Sequence, residues 1–102
     1  MDIQENEKKR NYMKVIEGLK MRPLGTEFII VGEGAAQVNF NKMISMNSTA
    51  AFLWKSVEGR DSFSVEDLTR LLLDEYEVDE ATASADAKAI AGKWVEIGIV
   101  TE

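Results

Sequence analysis

Apolar and polar positions change their rhythm about halfway along this chain. From about residue 15 to residue 46 they recur with a period near two, and after residue 47 with a period near 3.6. Glu27-Phe28-Ile29-Ile30-Val31 is the clearest strand, rich in β-branched and aromatic side chains. The run Val15 to Leu24 predicts a first strand. Pro23 cannot donate to a ladder, so it puts that strand at an edge or ends it. Leu24-Gly25-Thr26 and Gly32-Glu33-Gly34-Ala35-Ala36 read as turns. Gln37 to Phe40 reads as a further extended stretch, and Met43 to Met46 as a short strand in which Ile44 and Met46 face the core and Met43 and Ser45 the other side.

Three helices follow. Asn47 or Ser48 caps the first, which runs from about Ser48 to Val57 with Ala50, Leu53, Trp54 and Val57 as its apolar stripe. Ser64 and Asp67 have the spacing of a capping box and start the second, whose stripe is Val65, Leu68, Leu71 and Leu72 and which ends near Tyr76. Asp79 caps the third. Its stripe is Ala83, Ala87, Ile90, Ala91, Trp94 and Ile97, and Gly98 stands where a left-handed C-terminal cap is expected. Ile99 and Val100 then fold back as an apolar tail. Strands first and helices afterwards predict an α+β, winged-helix-like domain, a small three-stranded antiparallel sheet followed by three helices. Residues 1–13 read as a flexible polar tail and residues 14–102 as a single domain.

Composition narrows the chemistry. The 102 residues suffice for one modest core. With neither cysteine nor histidine, disulfides, thiol nucleophiles, imidazole bases and Cys/His zinc sites are excluded. No apolar run reaches the ~20 residues of a membrane span, and the N-terminal stretch lacks the apolar segment of a signal peptide, so the cytoplasm is the expected location and no membrane partner is expected. Asn47-Ser48-Thr49 matches a glycosylation sequon but reads as helix capping. Gly32 and Gly34 follow a strand, but no helix follows them to supply a phosphate cradle. The cluster Asp74, Glu75, Glu77, Asp79 and Glu80 lacks the glycine of a calcium loop and reads as a solvated connection. No nucleophile is paired with a base, so an enzyme is not expected, and neither is a metal or cofactor.

Charge is unevenly spread. Residues 63–102 carry ten acidic against three basic side chains, within a chain of net charge −6. Such a surface repels phosphate backbones, so no nucleic-acid partner is expected. The third helix is also unusual in its small side chains, from Ala81 through Ala91 to Gly92. They suit tight packing against a neighbouring helix, or one wall of a groove for an extended peptide. Gly92 costs about 1 kcal/mol relative to alanine, so helix propensity does not account for it.

The junction Met43-Ile44-Ser45-Met46-Asn47-Ser48-Thr49-Ala50-Ala51-Phe52-Leu53-Trp54 resembles the strand-to-helix junction of the PqqD-like family, named for pyrroloquinoline quinone biosynthesis protein D. Val65 to Tyr76, Asp79 to Asp86 and Glu96-Ile97-Gly98-Ile99 extend the similarity over roughly residues 17–100. The resemblance implies a non-catalytic peptide-binding adaptor or chaperone. Such a protein captures the leader of a ribosomally made precursor peptide by strand addition and presents it to a modifying enzyme, often of the radical S-adenosylmethionine type. Carried onto this chain, it implies an edge at Met43, Ile44, Ser45 and Met46 and a helix wall that includes Lys88, Ala91, Gly92 and Val95. Three departures stand out. Met46 replaces the usual Leu, Ala87 and Ala91 stand where bulkier aliphatics are common, and Gly32-Glu33-Gly34-Ala35-Ala36 stands in place of the Tyr-Pro-Glu-Gly turn of the quinone-pathway members. The last points to a client other than the quinone precursor.

Two other functions fit the architecture. A winged-helix DNA-binding regulator needs a basic or amide-rich reading helix, and the third helix offers only Lys88 and Lys93 against Asp86 and Glu96. A protein-interaction subunit without a peptide client would use an apolar patch around Phe52 or Trp94. A short edge strand permits a monomer or a strand-paired dimer.

Overall fold

The computed structural model of the chain describes residues 12–34 and 43–102. Its elements are β1 (Lys14–Val15), β2 (Leu19–Leu24), β3 (Glu27–Gly32), β4 (Ile44–Met46), α1 (Ser48–Val57), α2 (Val65–Glu75), α3 (Glu80–Ile97) and β5 (Val100–Thr101). The antiparallel order β2-β3-β4 forms the main sheet, and β1 pairs with β5 as a separate ribbon. The main sheet and the helices are the α+β arrangement expected, a three-stranded antiparallel sheet followed by three helices, to which the β1–β5 ribbon is added. The extended reading of Gln37 to Phe40 lies outside the described residues.

Two boundaries differ from the sequence reading. The run Val15 to Leu24 is not one strand, because a turn at Glu17–Gly18, with Gly18 at φ +91°, separates β1 from β2. Only a residue without Cβ adopts that conformation at little cost. Met13, assigned to the tail, is a core residue at 3% exposure that exchanges backbone hydrogen bonds with Phe63. A lone methionine in a polar stretch has no periodic partner to reveal it.

The β2–β3 hairpin turns through Gly25 and Thr26, with Gly25 at φ +65°. A glycine of positive φ at the first central position is what a type II′ turn requires. The register places Leu24 opposite Glu27, Arg22 opposite Ile29 and Lys20 opposite Val31.

All three helices start on side-chain caps. The Asn47 side chain accepts from the Ala50 N–H, Ser64 and Asp67 form a reciprocal capping box, and Asp79 accepts from the Thr82 N–H. The backbone and hydroxyl hydrogen bonds of Thr82 hold the Asp79 carboxyl below the usual aspartate range. Gly98 ends α3 in the left-handed conformation at φ +85°, its N–H donating to Trp94 and Val95 carbonyls.

The core joins the sheet to all three helices. Trp54, Phe63 and Trp94 meet edge to face, with centroids 5.3 Å apart for the two tryptophans and 6.1 Å for Phe63 and Trp94. Leu53, Val57, Leu68 and Ile30 complete it at 0% exposure. Ala83, Ala87 and Ala91 are buried as well, so their small size serves the packing of α3 against α2. Gly92 does not share that role, since an added Cβ there would meet nothing within 4 Å. No described helix is long and apolar enough to cross a membrane.

Candidate functional site

The main sheet has two edges, β2 and β4, and their backbone groups are disposed differently. Alternate residues of an edge strand turn their N–H and C=O outward. On β2 the outward residues are Leu19, Met21 and Pro23, because the Met21 N–H donates away from the sheet to Glu58 Oε2 at 3.2 Å. The Leu19 N–H is taken by the Ile16 carbonyl at 3.3 Å, and Pro23 has no N–H at all. Every outward donor of this edge is therefore engaged or missing. The same Glu58 oxygen accepts from Trp54 Nε1 at 3.1 Å, which ties the edge to the core.

The parity carries across the sheet. If Leu19, Met21 and Pro23 face outward on β2, then Val31, Ile29 and Glu27 of β3 bond to β2, and Ile30 and Phe28 bond to β4. Ile30 pairs with Ile44 and Phe28 with Met46, so Ser45, opposite Ile29, is the β4 residue whose N–H and C=O point outward. Among the described residues no backbone group or side chain engages them. The edge is three residues long, carries no proline and no charge, and is open as far as the described residues go.

Beside it runs a groove. A cavity of about 240 Å³ lies between β4 and α3, with Ile44, Ser45 and Met46 on one side and Ile90, Lys93, Trp94 and Ile97 on the other. Met46 and Trp94 are buried, Ile44, Ile90 and Ile97 are half-buried, and Lys93 is exposed at the rim. The wall is apolar with one charge.

Three of the four strand residues singled out on sequence line this groove. Met43 adjoins them and is 64% exposed. The four helix residues do not line it. Ala91 is turned into the core, Lys88 and Gly92 are exposed, and Val95 is half-buried elsewhere. The reason is the rotation of α3. Its core face is fixed by Ala83, Ala87, Ala91 and Trp94. At about 100° per residue, this puts Ile90, Lys93 and Ile97 on one flank and Lys88, Gly92 and Val95 on the opposite one. Ile90 and Ile97 read on sequence as core positions, and their partial exposure is what makes them a wall. The signal available was the alanine series, whose spacing of four sets the buried face.

Another concavity, lined by Glu27, Phe28, Ser45, Met46 and Ser48, lies at the end of the β3–β4 pair. A hollow lined by Met21, Pro23, Phe28, Phe52 and Lys55 lies beside the closed edge. Among the described residues no cluster of three metal-ligating side chains occurs.

The fold and this edge define the class, a small winged-helix-like α+β domain with one open sheet strand beside its last helix. The family model described as coenzyme PQQ synthesis protein D (PqqD) matches residues 25–100, and the chain belongs to that family. No curated protein matches the chain. Two solved structures share the fold. One is described as TbiB1 in complex with the TbiA(beta) leader peptide, with a TM-score of 0.67 and 13% identity over 85% of this chain and 93% of that one. The other is described as lasso peptide synthetase B1 complexed with the leader peptide, with a TM-score of 0.64 and 20% identity over 88% of this chain and 98% of that one.

Proposed function

We propose that this protein is a non-catalytic recognition element. It captures the leader of a ribosomally made precursor peptide as an added strand on β4 and presents it to a modifying enzyme of the radical S-adenosylmethionine type. The observation that carries this reading is the contrast between the edges. Among the described residues β2 has no outward donor left, while the Ser45 N–H and C=O of β4 are unengaged beside an apolar groove. In strand addition, main-chain bonds give affinity and pockets for alternate side chains give register. Family membership and two fold relatives described as leader-peptide complexes support the same reading. Gly32-Glu33-Gly34 stands where the quinone-pathway turn would be, which favours a client other than the quinone precursor.

Strand addition on this edge implies a definite pairing. The peptide residue opposite Ser45 exchanges two hydrogen bonds with it, and its neighbours on either side direct their side chains into the groove. A ¹⁵N NMR titration with the leader segment of a short peptide encoded beside the gene tests this. The expected result is a set of shifts at Ile44–Met46 and Ile90–Ile97, with the Ser45 amide protected from exchange. Shifts confined to other surfaces, or none, would reject the reading.

A further inference from the structure

The groove has a composition that selects among peptides. Its volume of about 240 Å³ falls below the roughly 300–1,000 Å³ of small-molecule sites, so it suits side chains of a bound strand. An added strand sends two side chains into it, those flanking the residue opposite Ser45, about 7 Å apart. Ile90 and Ile97, seven residues apart, bracket about 10 Å of the helix wall. Trp94 closes the bottom and Ile44 and Met46 the strand side, so both incoming side chains meet hydrocarbon.

Among the described residues Lys93 is the one charged side chain lining this groove, and it stands between the two isoleucines in sequence. A lysine at the rim of an apolar wall lays its stem along hydrocarbon and keeps its ammonium in water. A carboxylate on the bound strand would meet that ammonium at short range. The wider field has the opposite sign, since residues 63–102 carry ten acidic and three basic side chains. Charges more than about 8 Å apart are screened at physiological salt, so contact with Lys93 outweighs that field only locally.

Resting on the reading of the groove as a peptide site, we infer that Lys93 is a specificity-determining residue. The site takes an apolar–x–apolar segment with an aspartate or glutamate within or directly beside the triplet, in a peptide whose flanks are otherwise neutral or basic. Lys88, the other basic residue of α3, takes no part because it lies on the opposite flank.

The test uses the full chain and a displayed library of random decapeptides, selected on the wild type, on Lys93→Glu and on Ile90→Arg. Lys93 is exposed, and glutamate is as good a helix former, so the reversal leaves the fold intact. The arginine at position 90 lies across the groove and serves as the blocked control. The inference expects apolar–x–apolar peptides with an adjacent acid on the wild type and lysine or arginine in that place on Lys93→Glu. Individual acid-to-serine changes in selected peptides should weaken wild-type binding about twofold to fivefold, the scale of one solvent-exposed ion pair. Apolar triplets whose charges are the same on both proteins would overturn the role of Lys93 and leave the groove a peptide site. No enrichment over Ile90→Arg would overturn both.

Discussion

The two edges of the β2-β3-β4 sheet are built from the same kind of backbone and are open to opposite degrees. β2 is six residues long and would be the better template for pairing, yet its outward donors are spent on Ile16 and Glu58 or deleted by Pro23. Arg22 and Glu33, which pair across its end, add charge there. Proline, charge and side-chain capture are common means of protecting an edge from association. β4 is only three residues long and, among the described residues, has none of them. Among the described residues only one edge is open, so on the proposed reading a peptide that adds as a strand has a single place to pair. On the same reading, the helix wall beside that place selects among peptides.

The strongest way to break the contrast is Ser45→Pro. Its N–H points outward, so proline removes a donor that the β3 ladder does not use, and such edge positions tolerate it. Thermal stability should change little. Peptide affinity should fall by about 1–3 kcal/mol, the cost of leaving a partner carbonyl unpaired, which calorimetry would read as roughly fivefold to over a hundredfold. Ser45→Ala keeps the backbone and should bind like the wild type. Equal binding by the proline variant would place the peptide elsewhere.

Glu58→Ala attacks the closed edge. It orphans two donors at once, the Met21 N–H and the indole N–H of Trp54, whose side chain is fully buried. A loss of about 1–3 kcal/mol in urea unfolding is expected. Glu58→Gln keeps an acceptor oxygen and should recover most of it. Pro23→Val is milder. Valine suits a strand and restores an outward N–H, so stability should move by less than about 1 kcal/mol. The edge would now offer a donor, and sedimentation at rising concentration should show weak self-association. A strictly monomeric Pro23→Val protein would mean that Glu58 and Ile16 close the edge without the proline.

Much of this was legible in the sequence because local rules and global packing agree. Asn47, Ser64 and Asp79 cap the helices they were expected to cap, and Gly98 ends the last one. Ile44 and Met46 turn inward as alternation requires. What escaped was set by distant contacts. Met13 is core because Phe63, fifty residues away, bonds to it. Glu58 reads as an ordinary surface carboxylate until the fold brings Met21 to it. The wall of the groove was misread by a rotation of the helix, since periodicity marks an apolar stripe but not which of its margins a neighbouring strand leaves uncovered. Ile90 and Ile97 sit on that margin.

The smallest expected effect separates the wall of the groove from the stability of the helix that carries it. The Asp79 carboxyl titrates below its ordinary value because the ionised form accepts hydrogen bonds from Thr82. A group with a depressed folded-state pKa contributes stability above its unfolded pKa, and that contribution fades as pH falls through the folded value. Acidification below the ordinary aspartate range should therefore fray the first turn of α3, seen as faster hydrogen exchange at the Thr82 amide. Asp79→Asn keeps a capping oxygen without the titration and should remove that pH dependence. Ile90, Lys93 and Ile97 lie at least ten residues from the cap, about three turns along a helix held by Ala83, Ala87 and Ala91. Fraying confined to the first turn leaves them in place, so Asp79→Asn and the wild type should bind peptide alike at neutral pH. A loss of affinity in Asp79→Asn would show that the groove depends on the whole length of α3 rather than on its last two turns.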